Sequence, residues 1–160
     1  VPLPPKTKAA SKKRVVSKKR RTLAARILVV DDEPDFAKMV GRVLKQAGYK
    51  VDEAVTARKA MELQRQHAYD LAVVDLRMPE MTGSELLQYF KVRDKQMFVL
   101  MMTAYGSLQV GIDLLRRGAC DYISKPFKLD ALRGKVQDAL RRRRKYLEEQ
   151  TIHQDVADEY

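Results

Sequence analysis

"LAVVDLRMPEMTG", residues 71–83, decides the fold. Its opening run, Leu71 to Val74, is apolar without alternation, the pattern of a strand covered on both faces. The run ends in a carboxylate, Asp75, before a Pro, Met and Gly segment that turns the chain. A carboxylate at the mouth of a core strand is either a turn residue or a tool, and its partners elsewhere in the chain separate the two.

Outward from this stretch, short apolar runs alternate with amphipathic segments. "RILVVD" (26–31), "YKVDEAV" (49–55), "YDLAVVD" (69–75), "MFVLMM" (97–102) and "CDYIS" (120–124) read as strands, the second an edge strand with one wetter face. Between them, "DFAKMVGRVLKQAG" (35–48) sets Phe36, Met39, Val40, Val43, Leu44 and Ala47 at helical spacing, with Gly48 as its C-terminal cap. Thr56 caps a helix over 57–67 whose inner positions are Ala57, Ala60, Met61 and Gln64. Ser84 opens a helix with Leu86, Leu87 and Phe90 inward, and residues 107–118 form another with Leu108, Ile112 and Leu115 inward, leaving Val110 and Leu114 off that stripe. A last helix spans 129–150, with Leu129, Leu132, Val136 and Leu140 facing the core. Five β-α repeats with doubly covered strands predict a parallel sheet in a three-layer α/β sandwich.

Length and charge fit one domain with tails. The chain has 160 residues and a formal charge of +11. Residues 1–26 hold ten Lys/Arg and no acid, so the remainder sums to 11 − 10 = +1. Three parts are therefore expected: a basic flexible tail (1–25), a folded domain (26–140) and a C-terminal helical extension or linker (141–160). The tail lacks a sustained apolar period. Two roles suit it: a solvated extension, or an arm for nucleic acid or an acidic partner. Outside the tail there is no internal repeat. One cysteine, Cys120, excludes an internal disulfide and suits a reducing cytosol. No apolar segment approaches a membrane span or a signal-peptide core, so a soluble, cytoplasmic protein is expected. The first residue is Val rather than Met, which suits a processed chain or a fragment that lacks an output domain.

In a parallel sheet all strand C-termini open on one edge, where ligands bind. The first strand ends in Asp31 and Asp32, the third in Asp75, the fourth in Thr103, and the fifth leads to Lys125-Pro126. Singly, each has a structural explanation as a cap, a turn residue or a surface charge. Jointly they need a cation, because two carboxylates at 5 Å repel by roughly 3 kcal/mol at an effective dielectric near 20. With oxygen ligands only, and neither His67 nor Cys120 placed to join, Mg²⁺ suits the set best. Asp75 can then act as a nucleophile towards phosphorus, with Lys125 as a point charge for the phosphoryl group and Thr103 as a donor.

The motifs "ILVVDDEPD", "LAVVDLRMPEMTG", "MMTAYGS" and "GACDYISKPF", in this order, resemble the receiver domain of bacterial two-component response regulators over about residues 26–140. The stretch 104–127 is most similar to receivers of enhancer-binding transcriptional activators. The resemblance implies a flavodoxin-like (βα)5 sheet in strand order 2-1-3-4-5. It also implies a phosphorelay protein that accepts a phosphoryl group from a phosphohistidine on a histidine kinase or phosphotransfer protein. In that frame Asp75 is the phosphoacceptor, Asp31 and Asp32 hold Mg²⁺ with Asp75, and the Arg77 backbone carbonyl completes the coordination. Thr103 and Tyr122 are the switch pair, Lys125 is the family's lysine, and the Lys125-Pro126 bond is cis. Arg77 and Tyr105 occupy positions that tune phosphoryl lifetime, and their bulk predicts slow dephosphorylation.

Val110 and Leu114, off the inward stripe, are expected at the surface, where they would suit a homodimer or output surface on the face of the fourth helix, fifth strand and fifth helix. Scattered surface apolar residues are equally ordinary. "RRRRK" (141–145) fits either a solvated face or the start of a connector helix. Two other functions stay open. A haloacid-dehalogenase-type enzyme also uses an aspartyl nucleophile, Mg²⁺ and a lysine, but places a D-x-D pair on the first strand. The other is a vestigial receiver acting through its tail, although every residue the chemistry needs is present.

Overall fold

A computed structural model describes residues 24–104 and 106–159. The strands are β1 (Arg26–Val30), β2 (Lys50–Ala54), β3 (Leu71–Asp75), β4 (Phe98–Thr103) and β5 (Asp121–Ser124). The helices are α1 (Pro34–Gln46), α2 (Ala57–Gln66), α3 (Gly83–Arg93), α4 (Leu108–Arg116) and α5 (Leu129–Asp158). All four strand pairings are parallel, in the order β2-β1-β3-β4-β5. This is the flavodoxin-like arrangement.

The unbroken apolar runs are explained by two cores, one on each face. Leu28, Val30, Ala72, Val74, Val99 and Met101 meet residues of α2, α3 and α4. Their neighbours Ile27, Val29, Leu71, Val73, Leu100 and Met102 meet α1 and α5. Side chains alternate across a strand, so a strand covered on both faces needs an apolar residue at every position. β2 lies at one edge, only half-buried over most of its length, which is why its pattern is the wetter one.

Local chemistry sets the helix ends. The Thr56 and Ser107 hydroxyls accept from the backbone N–H of Lys59 and Val110 at 3.0 and 3.2 Å. Thr82 caps α3 in the same way, accepting from Glu85 N–H, so that helix opens at Gly83, one residue before the expected Ser84. After α1, Gly48 takes a φ of 100°, a left-handed turn open to glycine at little cost.

The packing differs from the periodicity in three helices, α1, α4 and α5, where Leu129, expected to face the core, is 36% exposed at the first turn of α5. On α4 the buried residues are Gly111 and Leu114, with Val110 against the same core, so Val110 and Leu114, expected at the surface, are turned inward. Leu108 is 72% exposed and Leu115 44% exposed, so the stripe expected inward faces solvent. Both stripes are apolar, and spacing alone does not rank them. On α1, Met39 and Ala47 are exposed while Ala37 is buried, which turns the inner face towards Ala37, Val40 and Leu44.

α5 runs eight residues beyond the expected 150, and its basic stretch is partly docked. Arg142 donates to the Cys120 carbonyl at 2.7 Å. Arg143 donates to the Gln96 carbonyl at 2.7 Å, and its guanidinium lies 2.9 Å from Asp70. The other Asp70 oxygen accepts the Arg26 backbone N–H at 2.8 Å. Tyr146 packs on Phe98 with ring centroids 5.8 Å apart. One carboxylate thus ties the start of β1 to α5, at the edge opposite the strand mouths.

Candidate functional site

The parallel register carries Asp75 to the C-terminal end of β3, level with Met102 of β4 and next to the Asp31 turn that follows β1. Gly83 makes the return of the chain possible. Its N–H donates to the Leu76 carbonyl at 2.8 Å, and a Cβ there would run into the Asp75 carbonyl and the Leu76 backbone. The loop between them includes Glu80 at a φ of 67°. The short turn leaves the Asp75 carboxylate at the mouth instead of within a helix.

The carboxylates of Asp31, Asp32 and Asp75 offer oxygens that all lie within 4.8 Å of one another. Asp31 is fully buried, Asp75 is 8% exposed and Asp32 is half-buried. One Asp31 oxygen accepts the Glu33 N–H at 2.9 Å, and the other accepts Lys125 Nζ at 2.7 Å. The same ammonium lies 3.4 Å from Asp75. A single lysine therefore bridges two of the three carboxylates. Burial first, and then the Asp31 charge, push the Asp75 carboxyl up to about 6 against the pull of Lys125. Burial pulls Lys125 down, but its hydrogen bond to Asp31 and the charges of Asp31 and Asp75 hold it above the ordinary lysine range.

The remaining expected residues fall around this centre. Thr103 is buried at the end of β4, and its carbonyl accepts the Lys125 N–H at 2.7 Å, which holds the β5 end against β4. The Lys125-Pro126 bond is cis. Tyr122 is half-buried between β5 and α4, and Arg77 is exposed two residues beyond Asp75. Tyr105 lies outside the described residues, as does the tail up to residue 23.

Phe36 belongs to the site although its helical spacing suggested only core packing. Lys125 Nζ sits 4.2 Å from the centroid of its ring, and Phe127 meets the ring edge-on at 5.8 Å. Nothing in the spacing of α1 marks Phe36 out. Only the return of the β5–α5 connection beside the first turn of α1 brings the lysine over it.

An acidic triad with one lysine at the mouths of a 2-1-3-4-5 sheet matches what comparison with known proteins finds. The family model for the response regulator receiver domain matches residues 27–137. The chain belongs to the response regulator receiver family. The response regulator protein PilR of Pseudomonas aeruginosa is 38% identical over 125 residues, covering 78% of this chain and 28% of that protein. The CheY-like receiver domain structure from Methanospirillum hungatei superposes with a TM-score of 0.73 at 32% identity, covering 77% of this chain and 98% of that one. NtrX from Brucella abortus, solved with ATP, gives a TM-score of 0.77 at 31% identity over 81% of this chain and 30% of its own. This receiver spans less than a third of the length of the curated relatives it matches. Among its described residues, no helix is long and apolar enough to cross a membrane.

The donor set of the receiver fits a hard divalent cation. Every available ligand is a carboxylate oxygen, and three buried or half-buried acids against one ammonium leave a local excess of negative charge.

Proposed function

We propose that this receiver is the phosphoacceptor switch of a two-component relay and that Asp75 takes the phosphoryl group. The observation that carries this reading is the meeting of Asp31, Asp32 and Asp75 within 4.8 Å, with the Lys125 ammonium 3.4 Å from Asp75. The donor is a phosphohistidine on a histidine kinase or phosphotransfer protein. An Asp75 oxygen attacks phosphorus, the P–N bond breaks, and the imidazole departs with the electron pair. A carboxylate with a value near 6 is ionised at neutral pH and poorly solvated, so little water must be stripped before it attacks. Lys125, already between Asp31 and Asp75, neutralises the new phosphoryl oxygens as a compact charge.

Asp31, Asp32, Asp75 and the backbone carbonyl of Arg77 would hold Mg²⁺, which when bound offsets charge on the transferring oxygens. The Thr103 hydroxyl then reorients towards a strong acceptor, and Tyr122 follows it as the second half of the switch. Arg77 and Tyr105, two residues after Asp75 and Thr103 in the sequence, restrict attacking water and lengthen the phosphoryl lifetime.

The outward stripe of α4 supplies the output. Leu108 and Leu115 are exposed large apolar residues on a helix beside Tyr122, and such a patch fits a homodimer through the α4-β5-α5 face. The basic segment 1–25 serves as an arm for nucleic acid or an acidic partner. The cytoplasm is the natural compartment for this chemistry. The protein acts as a switch that is modified once, not as an enzyme turning over a small substrate.

Incubation with acetyl phosphate and Mg²⁺ tests the assignment. One phosphate per chain is expected, and none in Asp75→Asn. Uptake that persists in Asp75→Asn refutes Asp75 as acceptor. Sustained turnover of a generic phosphate ester would favour the dehalogenase-type enzyme instead.

A further inference from the structure

Gly111 sits inside α4, a position where glycine is a poor helix former. It is buried, and a Cβ built on it would fall among the ring atoms of Tyr122, with Cζ and Cε1 nearest and Oη at 2.7 Å. Tyr122 pairs with Met101 across the β4–β5 ladder and packs in the same core as Met101, Leu114 and Val110. The ring therefore fills the space between the sheet and the α4 backbone, and it does so only because residue 111 has no side chain.

We infer that Gly111 is the seat of Tyr122, a positioning residue that fixes where the aromatic half of the switch rests. The inference builds on the proposed function, in which Tyr122 responds to Asp75. The atoms a Cβ would meet belong to the far end of a side chain, so an added methyl displaces the ring before it deforms the helix. α4 is held on this side by Gly111 and Leu114 and presents Leu108 and Leu115 to solvent on the other. A ring that leaves its seat removes one of the contacts anchoring the helix that carries the exposed stripe. The state of Tyr122 and the presentation of that stripe are coupled through one glycine.

Opposed signs make the test sharp. Alanine is the better helix former, so Gly111→Ala raises the melting temperature wherever the ring is absent and lowers it where the ring must move. Six proteins suffice: wild type and Gly111→Ala, and Tyr122→Ala and Tyr122→Leu, each with and without Gly111→Ala. The expected result is a lower melting temperature for Gly111→Ala alone and a higher one in both Tyr122 backgrounds. The Tyr122 ring resonances, assigned by their loss in Tyr122→Ala, should move in Gly111→Ala. Phosphate uptake from acetyl phosphate should change about threefold or more in Gly111→Ala, the scale at which contacting residues couple, and not at all when Tyr122 is already gone. An equal rise in melting temperature in every background, or unmoved ring resonances, overturns the seat. If wild type takes up no phosphate, the phosphoacceptor reading fails, while the melting and resonance data still decide the seat.

Discussion

Asp75→Asn should make the metal-free protein more stable at neutral pH while abolishing phosphorylation. Holding a carboxyl at about 6 when its ordinary value is 3.8 penalises the ionised form by about 3 kcal/mol. The side chain is only 11% exposed, so solvent relieves little of this. The folded-state value is raised, so between about 4 and about 6 the native protein binds more protons at this group than the unfolded chain does. Stability contributed by Asp75 therefore falls as pH rises through that window and is constant above it. Below about 4 the carboxyl is protonated in both states and the penalty is gone.

Asparagine is neutral and nearly isosteric, and so escapes the penalty. Thermal melts in EDTA at pH 7.5 should place the variant higher by roughly 6 to 12 °C for a chain of this size. The gap should shrink towards zero at pH 4. A variant that melts lower than wild type at pH 7.5, or a gap that stays flat from pH 4 to 8, would refute burial and Asp31 as the cause of the raised value.

Mg²⁺ should close most of that gap. At a hundredfold excess over its dissociation constant it stabilises wild type by about 2.7 kcal/mol, and Asp31→Asn or Asp32→Asn should lose most of this gain in the same melts. Arg143→Ala should cost about 0.5 to 1.5 kcal/mol, because Asp70 loses its ion pair and the Gln96 carbonyl its donor while both stay within reach of water. Hydrogen exchange beyond residue 141 should also quicken, and unchanged exchange would show that the docked arginine does not anchor α5. Leu108→Glu with Leu115→Glu should leave phosphate uptake intact and remove any phosphorylation-dependent dimer in sedimentation; a dimer that survives places the interface elsewhere. Deleting residues 1–25 should weaken binding to duplex DNA and flatten its salt dependence, and an unchanged slope would leave the tail a solvated extension.

Local chemistry made much of this protein legible in its sequence. Unbroken apolar runs at β1, β3 and β4 announce strands covered on both faces, because every position of such a strand must be apolar. The β-α alternation makes the sheet parallel, and a parallel sheet gathers its strand ends at one edge. That is why Asp31, Asp32, Asp75, Thr103 and Lys125 could be named as one group from their positions after strands, although the strand order itself came from the family resemblance.

Tertiary structure decided what periodicity leaves degenerate. α4 has two apolar stripes, and the one bearing Gly111 and Leu114 turned inward because the Tyr122 ring occupies the space a larger side chain would need. Phe36 joined the site because the chain after β5 returns beside α1, a long-range contact without a local signature. Arg143 became a tether because Asp70, 73 residues earlier in the chain, meets it at the far edge of the sheet. Side-chain type and spacing report which surfaces must be buried; which partner buries them is settled only when distant segments compete for the same space.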